Sequence, residues 1–195
     1  MLDILRRIIQ EVNSAADLDQ ALGIIVQRVR ESVAVDVASV YLKTADTGEF
    51  VLSATEGLRK DAVGHVRLAA SEGLVGMVGE REEPVNLEDA PSHPRYRFTS
   101  GTGENPYHAF LGVPIIQHGT VLGVLVVRQR QHRRFAEDEE AFLVTLAAQL
   151  AGAISHAGAS GEISHVLQAS EGVSVTLKGL PGAPGVAIGQ ALVVY

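Results

Sequence analysis

The hydrophobic period changes near residue 35, and this switch constrains the fold more than any other feature of the chain. Before it, Leu2, Leu5, Ile8, Ile9 and Val12 recur at three-to-four spacing, as do Leu18, Leu22, Ile25, Val26, Val29 and Val33. Both sets form the stripe of an amphipathic helix. Ser14 and Asp17 stand between them as capping residues, and Asp17 with Gln20 reads as a variant of the capping box. After the switch, the runs from Val37 to Leu42 and from Phe50 to Ala54 are β-rich, with Asp46, Thr47 and Gly48 as a hairpin signal between them. Val66 to Leu68 reads as a short third strand.

Ser71 is expected to cap a short helix over Glu72 to Gly79 that ends before Pro84. Gly73, Gly76 and Gly79 each weaken a helix by about 1 kcal/mol relative to alanine, so they point to close approach of something packed against it. From Glu88 to His108 periodicity is lost among Pro91, Pro94, Gly101, Gly103 and Pro106. A stretch of that kind reads as a functional lid or as disorder. Two strong strands follow, Ala109 to Ile116 and Thr120 to Gln129, around a tight turn at His118 and Gly119. A final helix opens with Glu137 to Glu140, where the macrodipole favours negative charge, and carries the stripe Phe142, Leu143, Leu146, Leu150 and Ile154. Antiparallel strands with flanking helices predict an α+β domain over residues 1–157. Small residues then mark a linker over 158–178. The segment 179–195 reads as the truncated start of another domain, because an isolated strand cannot bury its own surface.

Composition narrows the function. The chain has 195 residues, 46% of them apolar and 20% charged, which is the profile of an ordinary globular protein. It has no cysteine, so disulfides, thiolate metal sites and cysteine nucleophiles are excluded. A net charge of −7 argues against nucleic acid, whose phosphates demand a basic footprint. No continuous apolar run approaches the roughly 20 residues that span a bilayer, and the N-terminus lacks the order of a secretory signal. The expectation is a cytoplasmic protein with neither membrane nor nucleic acid as partner.

The segments Ala38 to Leu42, Glu72 to Gly76, Phe110 to Pro114 and Leu122 to Leu125, with the acidic-start helix after Phe135, resemble the GAF family of sensory domains over residues 1–157. The resemblance implies a six-stranded antiparallel sheet flanked by N- and C-terminal helices, with a ligand pocket under loops on the opposite face. It also implies a homodimer through the terminal helices, here Leu5, Ile8, Ile9, Val12, Leu146, Leu150 and Ile154. The tail, Leu180 and Pro181 followed by Gly182 to Gly189, resembles the opening strand of enzyme I-type phosphoenolpyruvate–protein phosphotransferases. A GAF domain fused to that start resembles the nitrogen-branch enzyme I. The parent would then carry phosphate from phosphoenolpyruvate on a histidine, require magnesium and pass the phosphate to a small phosphocarrier protein. Its GAF domain would regulate autophosphorylation in response to a metabolite, glutamine being the leading candidate.

No catalytic residue is expected in this chain. Ser155-His156 and Ser164-His165 lack the glycines and threonine that precede the family's phosphorylated histidine. The seven histidines show no pair at helical ligand spacing, so no metal site is expected either. The cyclic-nucleotide pattern fails where Arg128 and Gln129 replace its Asn-Lys pair. The basic run Arg128, Arg130, His132, Arg133, Arg134 reads as neutralised by the acidic residues that follow it. For a small polar ligand, an alternation that turns Val40 and Leu42 to the core turns Ser39 and Tyr41 to the loops. With Thr55, Gly73, Asn86, Asp89, His93, Phe98, Glu104 and Phe110 they make the candidate ligand set. An amino acid's ammonium would seek Asp89 or Glu104, and its carboxylate the helix N-terminus at Gly73. The competing reading is that these groups only cap turns, and that the domain is a structural dimerisation module with no ligand.

Overall fold

The switch of period at residue 35 is a switch of layer. In the computed structural model, which describes residues 2–97 and 107–159, helices α1 (Leu2–Asn13) and α2 (Leu18–Val33) precede strands β1 (Val37–Lys43), β2 (Phe50–Glu56) and β3 (Arg67–Leu68). Helix α3 (Gly73–Arg81), strands β4 (Val85–Leu87), β5 (Ala109–Gln117) and β6 (Thr120–Gln129), and helix α4 (Glu137–Ala159) complete the domain. The strands form one antiparallel six-stranded sheet in the order β3-β2-β1-β6-β5-β4. Phe98 and Glu104 lie outside the described residues, as does the tail from residue 160, which holds the expected second-domain start.

Local signals account for the boundaries. Asp17 accepts a hydrogen bond from the Gln20 amide at 2.8 Å, and the Gln20 side chain accepts one from the Ala16 amide at 2.6 Å, so the expected capping pair forms. His118 and Gly119 turn from β5 to β6 with φ of +49° and +73°, the two positive values of a type I′ hairpin. Ser71 does not cap α3. The residue before that helix is Glu72, whose side chain turns back to the Ala69 amide at 3.0 Å, and the Ser71 carbonyl instead accepts from Arg95.

Both faces of the sheet are covered. Ala38, Val40 and Leu42 of β1, with Leu111, Val113 and Ile115 of β5, meet α1, α2 and α4. Val37 and Tyr41 of β1, Phe50 and Leu52 of β2, and Val124 and Val126 of β6 meet Leu74, Val75, Met77 and Val78 of α3 on the other side. Helix α4 has the length and hydropathy to cross a bilayer, but Phe142, Leu143, Leu146, Leu150 and Ile154 are at most 3% exposed within the helix-side core. The same burial corrects the expected dimer surface. Ile8, Val12, Leu146, Leu150 and Ile154 lie inside one chain's core, and Leu5 and Ile9 are half-buried. An apolar stripe marks a face that must be covered, and here the domain's own elements cover it, α2 and α4 over α1 and the sheet over α4.

The α3 glycines answer to space. A Cβ on Gly76 would lie 2.6 Å from the Ser71 carbonyl carbon, and one on Gly79 would lie 2.5 Å from the Phe50 ring. Strand β4 escaped the sequence pattern and brings Asn86 to the helix side of the sheet. Its amide clamps the start of α4, accepting from the Phe135 amide at 3.1 Å and donating to the Phe135 carbonyl at 2.9 Å and to Glu140 at 3.2 Å. Asn86 is therefore a latch between β4 and the β6–α4 connection, which corrects its candidacy as a ligand residue.

Gly76→Ala should destabilise the domain by about 1–3 kcal/mol, because the atoms in the way are backbone. Gly23→Ala, where a Cβ on α2 would meet nothing within 4 Å, should stabilise it by up to about 1 kcal/mol. Urea denaturation of the two variants checks the contrast in sign. Asn86→Ala should cost about 1–3 kcal/mol by stranding the Phe135 groups, also measured by denaturation, with ligand affinity unchanged.

Candidate functional site

The alternation of β1 sends Ser39 and Tyr41 to the face away from the terminal helices. Ser39 is fully buried and pairs with β2 through Thr55, Oγ to Oγ1 at 2.8 Å, and the Thr55 hydroxyl also reaches the Ala38 carbonyl at 3.4 Å. The two hydroxyls thus satisfy one another inside the second core. Tyr41 is 1% exposed, and its phenolic oxygen accepts a hydrogen bond from Arg128 Nη2 at 3.3 Å. In the β1–β6 register Val37 faces Arg128, Ser39 faces Val126 and Tyr41 faces Val124. The two long side chains therefore meet over the Ser39–Val126 pair, in the middle of the sheet face.

Arg128 is the residue that reading along the sequence missed. Arg133 is neutralised locally, by Glu139 at 3.0 and 3.2 Å, as the acidic run suggested. Arg130 instead goes to Asp36, at the entrance to β1, by a 2.7 Å backbone hydrogen bond and a 3.8 Å ion pair. Half-buried Arg128 has the Tyr41 hydroxyl, and among the described residues no carboxylate lies within ion-pair distance of it. The signal was its place in the alternation after Val124 and Val126, which face the same side. A guanidinium so placed is a ready partner for a planar carboxylate.

The other candidates divide between core and rim. Phe110 is 2% exposed and packs in the second core beside the same sheet face as Tyr41. Gly73 opens α3 at φ +65°, and a Cβ there would lie 3.8 Å from the Arg97 side chain. The Arg95–Arg97 segment thus runs beside that helix start, with Arg95 bonded to Glu80 at 2.5 Å. His93 accepts the Arg95 amide on Nδ1 at 3.1 Å, a local turn contact. Asp89 sits at the rim with His108, Oδ1 to Nδ1 at 2.8 Å, and with His132 at 3.8 Å. The two imidazoles stack with centroids 3.8 Å apart. The His108 hydrogen bond and the neighbouring His132 hold the Asp89 carboxyl below its ordinary pKa.

Comparison with known proteins agrees with the fold. A family model described as the GAF domain matches residues 17–154. An Escherichia coli protein named phosphoenolpyruvate-dependent phosphotransferase system is 43% identical over 97% of this chain and 25% of its own length. The chain thus spans about a quarter of the curated relatives it matches most extensively. The GAF domain of a phosphoenolpyruvate-protein phosphotransferase from Coxiella burnetii superposes with a TM-score of 0.79 at 52% identity, covering 82% of this chain and 95% of that one. The corresponding Acinetobacter GAF domain gives 0.76 at 49%, covering 82% and 96%. The chain belongs to the GAF domain family, and its similar solved structures include GAF domains of phosphoenolpyruvate-protein phosphotransferases.

Proposed function

We propose that this domain senses a small carboxylate-bearing metabolite, glutamine foremost, and controls autophosphorylation of a phosphoenolpyruvate–protein phosphotransferase to which it belongs. The observation that carries the reading is Arg128, a half-buried cation on the covered sheet face whose polar partner among the described residues is one phenolic oxygen. A half-buried guanidinium is a good bidentate partner for a planar carboxylate, and a ligand carboxylate would supply one. Asp89 at the rim is the acidic group suited to an ammonium. The likeness to phosphotransferase GAF domains supports the regulatory role. The phosphorylated histidine, the magnesium requirement, the contact with a phosphocarrier and a cytoplasmic setting all belong to this proposed parent.

Calorimetric titration of the chain with glutamine should give saturable binding. Arg128→Gln should weaken it by about 10–100-fold, the worth of a charged hydrogen bond, without lowering the melting temperature. A panel of amino acids and 2-oxo acids that gives no heat would sink the sensing role.

A second reading, dimerisation through the terminal helices, draws support from Ile4 and Val144, large apolar side chains 42% and 43% exposed on α1 and α4. Sedimentation velocity should then find a dimer that Ile4→Glu with Val144→Glu converts to a folded monomer. A wild-type monomer, or a sedimentation rate untouched by the pair, would remove that reading.

A further inference from the structure

We infer that Asp89, His108 and His132 form a binding site for one divalent transition-metal ion of the zinc class. The three side chains come from separate segments: the turn after β4, the entry to β5 and the connection after β6. Their donor atoms all lie within 4.8 Å of one another. Bonds of about 2.0–2.2 Å in a tetrahedral zinc site hold neighbouring ligand atoms about 3.4 Å apart. The carboxylate oxygen lies 2.8 Å from His108 Nδ1 and 3.8 Å from His132 Nδ1, so the two separations bracket that value.

Two further observations favour an ion over a plain surface pair. His132 Nδ1 makes no hydrogen bond to the described residues, yet it faces the same carboxylate oxygen that His108 already occupies. The chain around the site is also pinned, by the Ala90 amide on the His108 carbonyl at 2.7 Å and the Arg130 amide on Asp36 at 2.7 Å. The rings are stacked at 26°, and their lone pairs converge on an ion only if His132 turns; at 53% side-chain exposure it has room to do so. Both imidazoles would ligate through Nδ1 with their protons on Nε2, so a neutral His108 would exchange the Nδ1–H tautomer that faces Asp89 for the Nε2–H one on binding. Two nitrogens and one carboxylate suit zinc, cobalt or nickel, whereas calcium and magnesium require more oxygen. Three protein ligands leave a position for water. An ion there would tie the entry of β5 to the exit of β6 at the rim of the sheet face. The inference shares Asp89 with the metabolite reading but uses neither Arg128 nor Tyr41, so His132→Ala tests the metal site and Arg128→Gln tests the metabolite site separately.

The test is titration of the untagged, chelator-stripped 195-residue chain with zinc by calorimetry and with cobalt by visible absorption. One ion per chain, a higher melting temperature with zinc and the bands of tetrahedral cobalt are expected. Asp89→Asn and His132→Ala should each weaken binding at least about 10-fold, since even outer-shell changes cost that much. His118→Ala, on the β5–β6 turn, should change nothing, and magnesium should give no heat. Absence of saturable one-to-one binding, or a His132→Ala chain that titrates like the wild type, would overturn the site. His132 is largely solvated, so its replacement should leave the fold intact, and circular dichroism verifies this.

Discussion

A sheet buried on both faces governs everything else in this domain. Strands β1, β5 and β6 lie between the layer of α1, α2 and α4 on one side and α3 with its adjoining segments on the other. This explains why β6 reads as an almost unbroken apolar run from Val121 to Val127, where a half-exposed strand would alternate with polar residues. It also sets a strict condition on any polar side chain that these strands carry, because water cannot satisfy it. Ser39 and Thr55 meet the condition by bonding to each other. Arg128, half-buried near the end of β6, is only partly subject to it, and among the described residues its guanidinium donates to the Tyr41 hydroxyl. In the proposed function this cation would supply charge for an anion from a side chain already oriented by Tyr41.

The helices and long strands were legible because their patterns are long. Stripes such as Leu18 to Val33 fix both a helix and its buried face, and every member of that stripe is buried. What the pattern could not reveal was the identity of the cover. Leu146, Leu150 and Ile154 look the same in sequence whether a second subunit or the domain's own sheet lies over them, and the sheet does. Strand β4 was missed because Val85–Leu87 is too short to show alternation. Only its pairing with Phe110, Leu111 and Gly112 makes it a strand. The Ser71 cap failed because the helix begins one residue later than expected, at Gly73, which puts Glu72 at the cap position.

The site was less legible for a related reason. Charges in the run from Arg128 to Arg134 were paired by proximity along the chain, and that logic holds for Arg133 and Glu139 on one connection. It fails for Arg130, which finds Asp36 across the sheet, and for Arg128, whose surroundings are set by strand pairing. The histidines were judged by helical spacing, although antiparallel neighbours bring the end of one strand beside the start of the next. Pairing Ala109 with Gln129 is enough to carry His108 and His132 into one corner.

That corner bears on how a bound metabolite could be felt elsewhere. Arg128 lies one residue before the end of β6, and the connection that follows enters α4 through two fastenings: Asn86 on the Phe135 backbone and Arg133 on Glu139. Any ligand can shift an equilibrium only as far as its contacts differ between two states, so coupling needs a short, stiff path from those contacts to a movable element. β6 provides it, because Arg128 presents one side of the strand to the ligand face while Val127 beside it packs in the helix-side core. A change in how β6 sits would thus reach α4 through packed side chains and through the clamped connection between them. Helix α4 is also the last described element of the chain, and in the proposed function its seat on β5 and β6 is where ligand binding would act.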